Sequence, residues 1–355
     1  MVKYVSSYFE VSEVVKYLKE NFNNLEKDTI TKIGLKSAGI TSYDGYNRYL
    51  EDSLGVNYIP DFEDSEEITR EAESAVEVLR SRGIIRGDDK LFTKGQKDFL
   101  DAYGYLIITE VLSEDQVDEL SRLTLLIADE EEKAGVSYRY GRSRKLQRVY
   151  NLISKHPQYV ELIQHPLLEE ILEHYFRKDT LHPKYVMSSF QSNIIYPGGE
   201  SQQVHVDGFG RNDNPLPDIV TRLNLNFLLT DWTEDNGATL LSPGSHKLLE
   251  APNPNMSDDD LVKVIAPKGS LVIWSGKTWH KSGENKSKEP RFGLFSCFAS
   301  SQIKELCGEE EHLSVVDKSV SDKLSPKFRF VLGFDRGVKS GAYHRVDFTG
   351  TEFAL

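Results

Sequence analysis

The chain has few cysteines, no long apolar run and a shortage of positive charge, and each of these absences excludes a class of protein. Its two cysteines, Cys297 and Cys307, are too few for a disulfide framework and are typical of a reducing compartment. No apolar run is long enough to span a bilayer, and the N-terminal residues show no apolar stretch followed by a cleavage pattern. We therefore expect a cytoplasmic protein with no membrane partner.

The shortage of positive charge leaves the chain with a net charge of −13 at pH 7. A chain of that sign repels polyanions, so we expect no nucleic-acid partner. One basic segment contrasts with this background, and it contains Arg139, Arg142, Arg144, Lys145 and Arg148. It has two interpretations, a solvated loop or a lid that holds an anionic substrate. On the second interpretation, Arg144 and Arg148 contact the substrate.

The first part of the chain has apolar residues at helical spacing. They predict one helix after Ser12 and a second after Ser65, which Gly83 ends. Residues 41–60 contain glycines and tyrosines without a helical period and predict a loop. We therefore predict a helical N-terminal extension over residues 1–95, which packs on the rest of the chain, forms the interface of a homodimer, or covers a site as a lid. The sequence does not decide whether the protein is a monomer or a homodimer.

Residues 96–355 show a different pattern, in which strands alternate with glycine, proline and asparagine. A capping box at residues 113–116 predicts one helix, and Pro166 opens another. Residues 103–108 and 187–196 predict strands. Short strands with this punctuation are typical of an antiparallel jelly roll. The sequence therefore predicts a second domain that is mainly β with flanking helices.

Two histidines and one aspartate have the spacing of a metal site. His205 and Asp207 lie two residues apart, so on a strand both side chains face the same side. His280 would come from a distant strand over residues 270–274, or from the loop just after it. Two histidines and one carboxylate with open positions form the facial triad of non-haem Fe(II) oxygenases. Because a His-x-Asp pair is common by chance, the surrounding sequence decides between a metal site and unrelated polar residues.

The residues between the predicted ligands carry a resemblance to a known family. They include Asp235-Asn236-Gly237 and the turn Pro243-Gly244-Ser245-His246, followed by residues 267–274 and by the segment 279–285. In this order they resemble the phytanoyl-CoA dioxygenase family, whose members use Fe(II) and 2-oxoglutarate. The resemblance covers residues 101–300, and it is specific because the motifs occur together.

The resemblance implies a fold, a set of cofactors and a reaction. The fold is a double-stranded β-helix, the jelly-roll or cupin-like core, with flanking helices. The cofactors are Fe(II), held by His205, Asp207 and His280, with 2-oxoglutarate and O2 as co-substrates. The reaction is the oxidation of an unactivated C–H bond, by hydroxylation, desaturation or oxidative cyclisation, with succinate and CO2 as co-products. Asp207 disfavours halogenation, in which a small residue replaces the carboxylate.

The resemblance also implies a binding site for 2-oxoglutarate. Arg291 matches the family's co-substrate arginine, and a guanidinium binds a carboxylate with two parallel hydrogen bonds. Asn193, Gln203 and Thr239 are predicted to contact the same molecule, with Gln202 as the alternative to Gln203. Each of these weaker candidates has an equally good interpretation as a structural hydrogen-bonding group.

The substrate is predicted only as a class. Phe209 and Arg211 follow the metal ligands directly, in a loop, and are predicted to contact it. A small molecule of specialised metabolism or an amino-acid derivative is preferred, with a fatty acyl-CoA or a protein or nucleic-acid side chain as alternatives. Outside enzymes, an inactive binding protein on this fold and an interaction protein that works through its N-terminal helices stay open. The complete set of predicted site residues favours the enzyme.

Overall fold

The computed structural model of the protein describes residues 8–22, 24–37, 65–82, 91–176, 184–207, 215–301, 303 and 316–334. Two predicted substrate contacts, Phe209 and Arg211, lie outside the described residues, as do Cys307 and the predicted loop over residues 41–60. Within the described ranges, no helix is both long enough and apolar enough to cross a membrane.

In the described residues of the N-terminal part, three helices pack on one another: α1 Tyr8–Asn21, α2 Lys27–Ser37 and α3 Glu66–Ser81. Helix α3 begins where the sequence predicts, because the Ser65 hydroxyl accepts a hydrogen bond from the Ile68 amide at 3.2 Å. Helix α1 begins before the predicted start at Ser12, since the residues ahead of Ser12 include no proline or glycine that would break it.

Helix α2 has no counterpart in the sequence prediction. It contains Gly34 and two threonines, which have low helix propensity. Tertiary packing compensates, because Ile30 and Ile33 are buried in the hydrophobic core. A Cβ on Gly34 would lie 2.9 Å from a methyl group of Val15, so the missing side chain lets α1 and α2 approach closely. Helix propensity alone therefore does not predict this helix.

The described residues after position 91 contain six further helices: α4 Lys94–Tyr103, α5 Glu114–Lys133, α6 Pro157–Ile163, α7 Pro166–Tyr175, α8 Lys318–Ser321 and α9 Pro326–Val331. The predicted capping box of α5 is confirmed, because the side chains of Ser113 and Gln116 each bond the other's backbone amide. Helix α4 ends at Gly104, whose φ of 75° is left-handed, and a strand follows directly. A Cβ at Gly104 would collide with the ring of His246.

The strands of the described residues form two sheets: β1 Tyr105–Ile108, β2 Tyr138–Tyr140, β3 Leu146–Val149, β4 Tyr185–Ile195, β5 Arg222–Leu228, β6 Thr239–Leu241, β7 Val262–Lys263, β8 Leu271–Ser275, β9 His280–Ser282 and β10 Arg291–Ser300. The larger sheet has the order β1-β8-β5-β10-β4-β3-β2, and the smaller has the order β7-β6-β9. All the ladders between these strands are antiparallel. The predicted antiparallel, mainly β core with helices is confirmed.

A segment over residues 202–207 extends the smaller sheet along β9. His205 and His280 exchange two backbone hydrogen bonds of 3.0 Å, and the Gln202 amide donates to the Ser282 carbonyl at 3.0 Å. A regular ladder in register with the histidine pair would place Gln203 opposite Ser282, so the segment contains a bulge. The bulge decides which side chains reach the space between the two sheets.

Candidate functional site

Three predicted metal ligands meet at one point between the two sheets. The Nε2 atom of His280 lies 3.4 Å from the Asp207 carboxylate, and the Nε2 atom of His205 lies 3.8 Å from it. One ligand atom from each of the three residues lies within 4.8 Å of the others. His205 and Asp207 reach this point from the bulged segment, and His280 reaches it from the first residue of β9. Two imidazoles and one carboxylate at this separation fit a divalent transition metal.

Both histidines are held with the same ring nitrogen free for a metal. The Nδ1 atom of His205 lies 2.9 Å from the Gln203 carbonyl, and the Nδ1 atom of His280 lies 2.8 Å from the Thr278 carbonyl. A carbonyl only accepts hydrogen bonds, so each Nδ1 carries the proton and each Nε2 keeps its lone pair. Burial and the neighbouring His280 ring lower the pKa of His205, which keeps that ring neutral and able to bind a metal.

The Asp207 carboxylate is ionised and oriented. Burial opposes its charge, but the His280 and His205 rings, when they carry a second proton, and the guanidinium of Arg222 hold the pKa of Asp207 well below its usual range. The side-chain amide of Asn224 donates to Asp207 Oδ2 at 2.7 Å. An ionised carboxylate with one oxygen engaged in this way presents its other oxygen to a metal.

The three ligands line a cavity of about 460 Å³ between the sheets. Its wall includes Thr239 and Ser282 from the smaller sheet and Asn193 and Phe295 from the larger one. A cavity of this size accommodates small molecules. A larger cavity of about 990 Å³ lies elsewhere, beside β6 and β7, but none of the three ligands lines it. The chemistry therefore belongs to the smaller cavity.

Arg291 places a buried positive charge in the same cavity. Its side chain packs over the Trp232 ring, with the guanidinium carbon 4.4 Å from the ring centroid, and it donates to the Gly237 carbonyl. Its Nε has no hydrogen-bond partner, and no described residue forms an ion pair with it. Burial lowers the pKa of Arg291 to about 9, so the group stays cationic at neutral pH. A buried cation with a free N–H is arranged to receive an anion.

The weaker candidates for co-substrate contacts divide into two groups. Asn193 and Thr239 line the cavity, and the Asn193 Oδ1 atom is buried without a partner. Gln203 is exposed, and Gln202 lines the cavity in its place. The prediction for Gln203 assumed a regular strand, in which residues two apart share a face. The bulge between Gln202 and His205 breaks that alternation, so the structure favours Gln202 for this position.

The structure places the two predicted substrate contacts of the basic segment in different surroundings. Arg148 lines the cavity from β3, stacks on Tyr140 at 4.8 Å and donates to the Tyr150 hydroxyl at 3.4 Å. Arg144 lies in the exposed turn before β3, with a left-handed φ of 58°, and it is not among the residues that line the cavity. Of the two predicted substrate contacts in this segment, the structure brings only Arg148 to the candidate site.

The sequence analysis missed several cavity residues, and three of them lie next to the candidate metal ligands. Arg222 and Asn224 face the cavity from β5, where polar and apolar residues alternate, and this period of two was a usable signal. Cys297 lies opposite Asn224 on β10, and its thiol donates to Asn224 Oδ1 at 2.8 Å. No local pattern marks Cys297, because the contact depends on the pairing of distant strands.

Comparisons with known proteins agree with this chemistry. A family model described as phytanoyl-CoA dioxygenase (PhyH) matches residues 100–293. Dioxygenase af480 of Aspergillus fumigatus is 28% identical over 257 residues, which are 71% of this chain and 80% of that protein. Dioxygenase trt7 of Aspergillus terreus is 33% identical over 137 residues, which are 38% of this chain and 47% of that protein.

Solved structures match part of the chain at low similarity. One is described as the epimerase SnoN in complex with Fe3+, alpha ketoglutarate and nogalamycin RO. It is 19% identical, the match covers 58% of this chain and 82% of that one, and the TM-score is 0.46. The predicted resemblance is confirmed by the family model, which covers more than half of the chain. The chain therefore belongs to the phytanoyl-CoA dioxygenase family, and it is a dioxygenase.

Proposed function

We propose that His205, Asp207 and His280 hold the iron, that Arg291 anchors 2-oxoglutarate, and that the enzyme oxidises a C–H bond of a small molecule. The observation that carries this proposal is the meeting of three ligand atoms and one unpaired buried guanidinium in a single cavity. Either feature alone occurs in proteins of other functions. Together they supply a metal site and a carboxylate site within one cavity.

Different residues of the chain would bind the metal, bind 2-oxoglutarate and exclude water. When bound, iron and 2-oxoglutarate supply the O2-dependent oxidising power that an unactivated C–H bond requires. The two imidazoles and the Asp207 carboxylate fix the metal and leave open positions for small ligands. Arg291 neutralises one carboxylate of 2-oxoglutarate and sets its orientation, with Thr239, Asn193 and Gln202 as further polar contacts. The two sheets exclude bulk water from the reacting groups.

The proposed substrate is a small molecule of specialised metabolism. A cavity of about 460 Å³ that also receives 2-oxoglutarate leaves room for a compact molecule. Hydroxylation is the default outcome, with desaturation or oxidative cyclisation where the substrate is held away from the transferred oxygen. An acyl-CoA, or a side chain of a protein or nucleic acid, is the alternative within the family. An inactive binding protein is the non-enzyme alternative, and the complete ligand set argues against it.

The remaining proposals concern the molecule as a whole. We propose that residues 1–95 form a helical extension of the oxygenase domain over residues 96–355, on the basis of α1, α2 and α3. The protein acts as a monomer or a homodimer in the cytoplasm. The substrate is anionic, which is supported by the position of Arg148 in the cavity wall.

Turnover of the co-substrate tests the proposed function. The purified protein is loaded with Fe(II) without oxygen, 2-oxoglutarate is added, and the metal-to-ligand charge-transfer band is followed. Oxygen is then admitted and succinate is measured. We expect a band and slow succinate formation, both of which are lost in His280→Ala. A wild-type protein that binds iron but shows neither signal would contradict the proposal.

A further inference from the structure

The candidate active site holds more positive charge than its cofactors require. Three arginines line the cavity, Arg148, Arg222 and Arg291, and the only acidic residue in its described wall is Asp207. Buried charges in proteins are paired, because an unpaired charge loses its hydration without compensation. The counter-charges of these arginines therefore indicate what the cavity is built to hold.

The charges of the cofactors and Asp207 balance the charge of one of the three guanidinium groups. Fe(II) carries two positive charges, Asp207 carries one negative charge and 2-oxoglutarate carries two. Together with Arg291 these groups sum to zero. Arg148 and Arg222 add two further positive charges that the cofactors and the described cavity residues do not balance, because Asp207, the acidic neighbour of Arg222, is already counted.

Of these two, Arg222 is the less satisfied. Its Nε atom is buried without a hydrogen-bond partner, and the groups that act on its charge are the Cys297 thiol and the Asp207 carboxylate, which is a predicted metal ligand. The Nε atom of Arg148 is also unpaired, but the Arg148 guanidinium stacks on Tyr140 and donates to the Tyr150 hydroxyl. Arg222 therefore has the greater capacity for a ligand.

The position of Arg222 separates it from the proposed 2-oxoglutarate site. It is the first residue of β5 and lies opposite Ala299, near one end of β10, whereas Arg291 is at the other end of the same strand. Asn224, two residues after Arg222 on the same face of β5, donates to Asp207. Arg222 and Arg291 thus lie at opposite ends of the cavity, with the candidate metal ligands between them.

We infer that the substrate of this enzyme carries an anionic group of the carboxylate type and that Arg222 binds it, at the end of the cavity opposite Arg291. This inference rests on the proposed function, and it names the chemical class of the substrate and the residue that selects it. The guanidinium places the anion next to Asp207, so the carbon chain attached to the anion lies toward the metal ligands. The enzyme distinguishes an acid from its neutral ester through this contact.

A structural role for Arg222 makes an opposite prediction. If Arg222 only stabilised the Asp207 carboxylate, its removal would weaken the fold and the metal site. If it binds the substrate, iron and 2-oxoglutarate still bind in its absence, and only the response to an anionic substrate is lost. Iron affinity and the 2-oxoglutarate band therefore separate a binding role from a structural one.

Matched acids and esters test the inference in the full-length protein. The anaerobic Fe(II) and 2-oxoglutarate complex is titrated with hexanoate and phenylacetate and with their methyl esters, while the charge-transfer band is followed. We expect both acids to shift the band at concentrations at which the esters do not. In Arg222→Met the response to the acids should weaken about tenfold or more, since a charge-assisted pair is lost. Arg148→Met is the matched comparison, and the exposed Arg142→Met is the control.

Each outcome of this experiment either supports or overturns the inference. A band that forms with 2-oxoglutarate in every variant, with an acid response that depends on Arg222, supports the inference. Acids and esters that act alike, or that both have no effect, overturn it, as does a response that depends on Arg148 alone. Loss of iron or of the band in Arg222→Met, with both retained in Arg148→Met, assigns Arg222 to the support of Asp207 and also overturns the inference. Absence of the band in the wild type would instead contradict the proposed function.

Discussion

The side-chain amide of Asn224 donates to Asp207 Oδ2 across 2.7 Å, and the Cys297 thiol donates to the other end of the same amide at 2.8 Å. The thiol bond fixes the amide so that its nitrogen faces the carboxylate. Asn224 therefore acts on the metal site through Asp207, as a residue that positions a ligand.

Replacing Asn224 should weaken metal binding without removing any ligand. In Asn224→Leu we expect Fe(II) affinity to fall roughly ten- to hundredfold, because the carboxylate loses the donor that orients it. Affinity is measured by anaerobic competition with a chromogenic chelator. Cys297→Ser, which keeps a donor to the amide, should stay close to wild type, and an unchanged affinity in Asn224→Leu means that the bond does not orient Asp207.

The metal assignment predicts a loss of iron in two single variants. His205→Ala and His280→Ala each remove one of three ligands, so stoichiometric iron should be absent after desalting. Metal content is measured by elemental analysis, together with circular dichroism to confirm folding. His156→Ser, which keeps a capping side chain at the start of α6, is the control. Folded variants that retain full iron would refute the ligand set.

Arg291 should control 2-oxoglutarate affinity. Arg291→Leu removes charge-assisted hydrogen bonds of roughly 1.5–3 kcal/mol, so affinity should fall roughly ten- to hundredfold while iron stays bound. The anaerobic charge-transfer band reports both events, since it requires iron and co-substrate together. Arg142→Leu, in an exposed turn, is the control, and equal affinities in the two variants would assign the anchor to another cation.

Because of the bulge beside β9, only one of two adjacent glutamines faces the cavity. Gln202 lines the cavity, and its Oε1 accepts from the Ser282 amide at 3.1 Å, whereas Gln203 is exposed. We expect Gln202→Ala to raise the KM for 2-oxoglutarate several-fold and Gln203→Ala to leave it unchanged. Succinate formation at varied 2-oxoglutarate concentration measures both, and an effect confined to Gln203→Ala would mean that this segment follows regular alternation.

His246 should make the fold sensitive to acid. Its Nε2 lies 3.2 Å from the Asp101 carbonyl, and burial lowers the pKa of His246 to about 4 from an ordinary value of 6.5. As the pH falls below 6.5 the unfolded chain takes up a proton before the folded one, so stability present above pH 6.5 is lost toward pH 4. Between pH 7 and pH 5 this loss is on the order of 2 kcal/mol at most.

Urea unfolding at the two pH values checks this prediction. The metal-free wild type should lose more stability between pH 7 and pH 5 than His246→Gln, which lacks the titrating ring. The difference between the two losses isolates His246 from other acid-sensitive groups. Equal losses in both proteins would show that the ring titrates normally.

Sequence reasoning reached those parts of the site that depend on local order. His205 and Asp207 reach one point because they are two residues apart in an extended segment, and His280 and Arg291 were placed by the resemblance of the motifs around them. The capping box of α5 and the serine cap of α3 were also accessible, because a cap bonds residues only three positions apart. In each case the interacting groups are neighbours along the chain or members of one recognisable motif.

The sequence by itself determined the residue types of the metal site and the antiparallel core, because side-chain alternation and capping act over a few residues. Only the tertiary structure decided that Gln202 replaces Gln203 in the cavity, since the bulge is defined by pairing with β9. It also decided that Cys297 supports Asn224, because that contact exists only when β5 and β10 pair. Long-range pairing selects which of two adjacent side chains faces the site, and no local pattern contains that information.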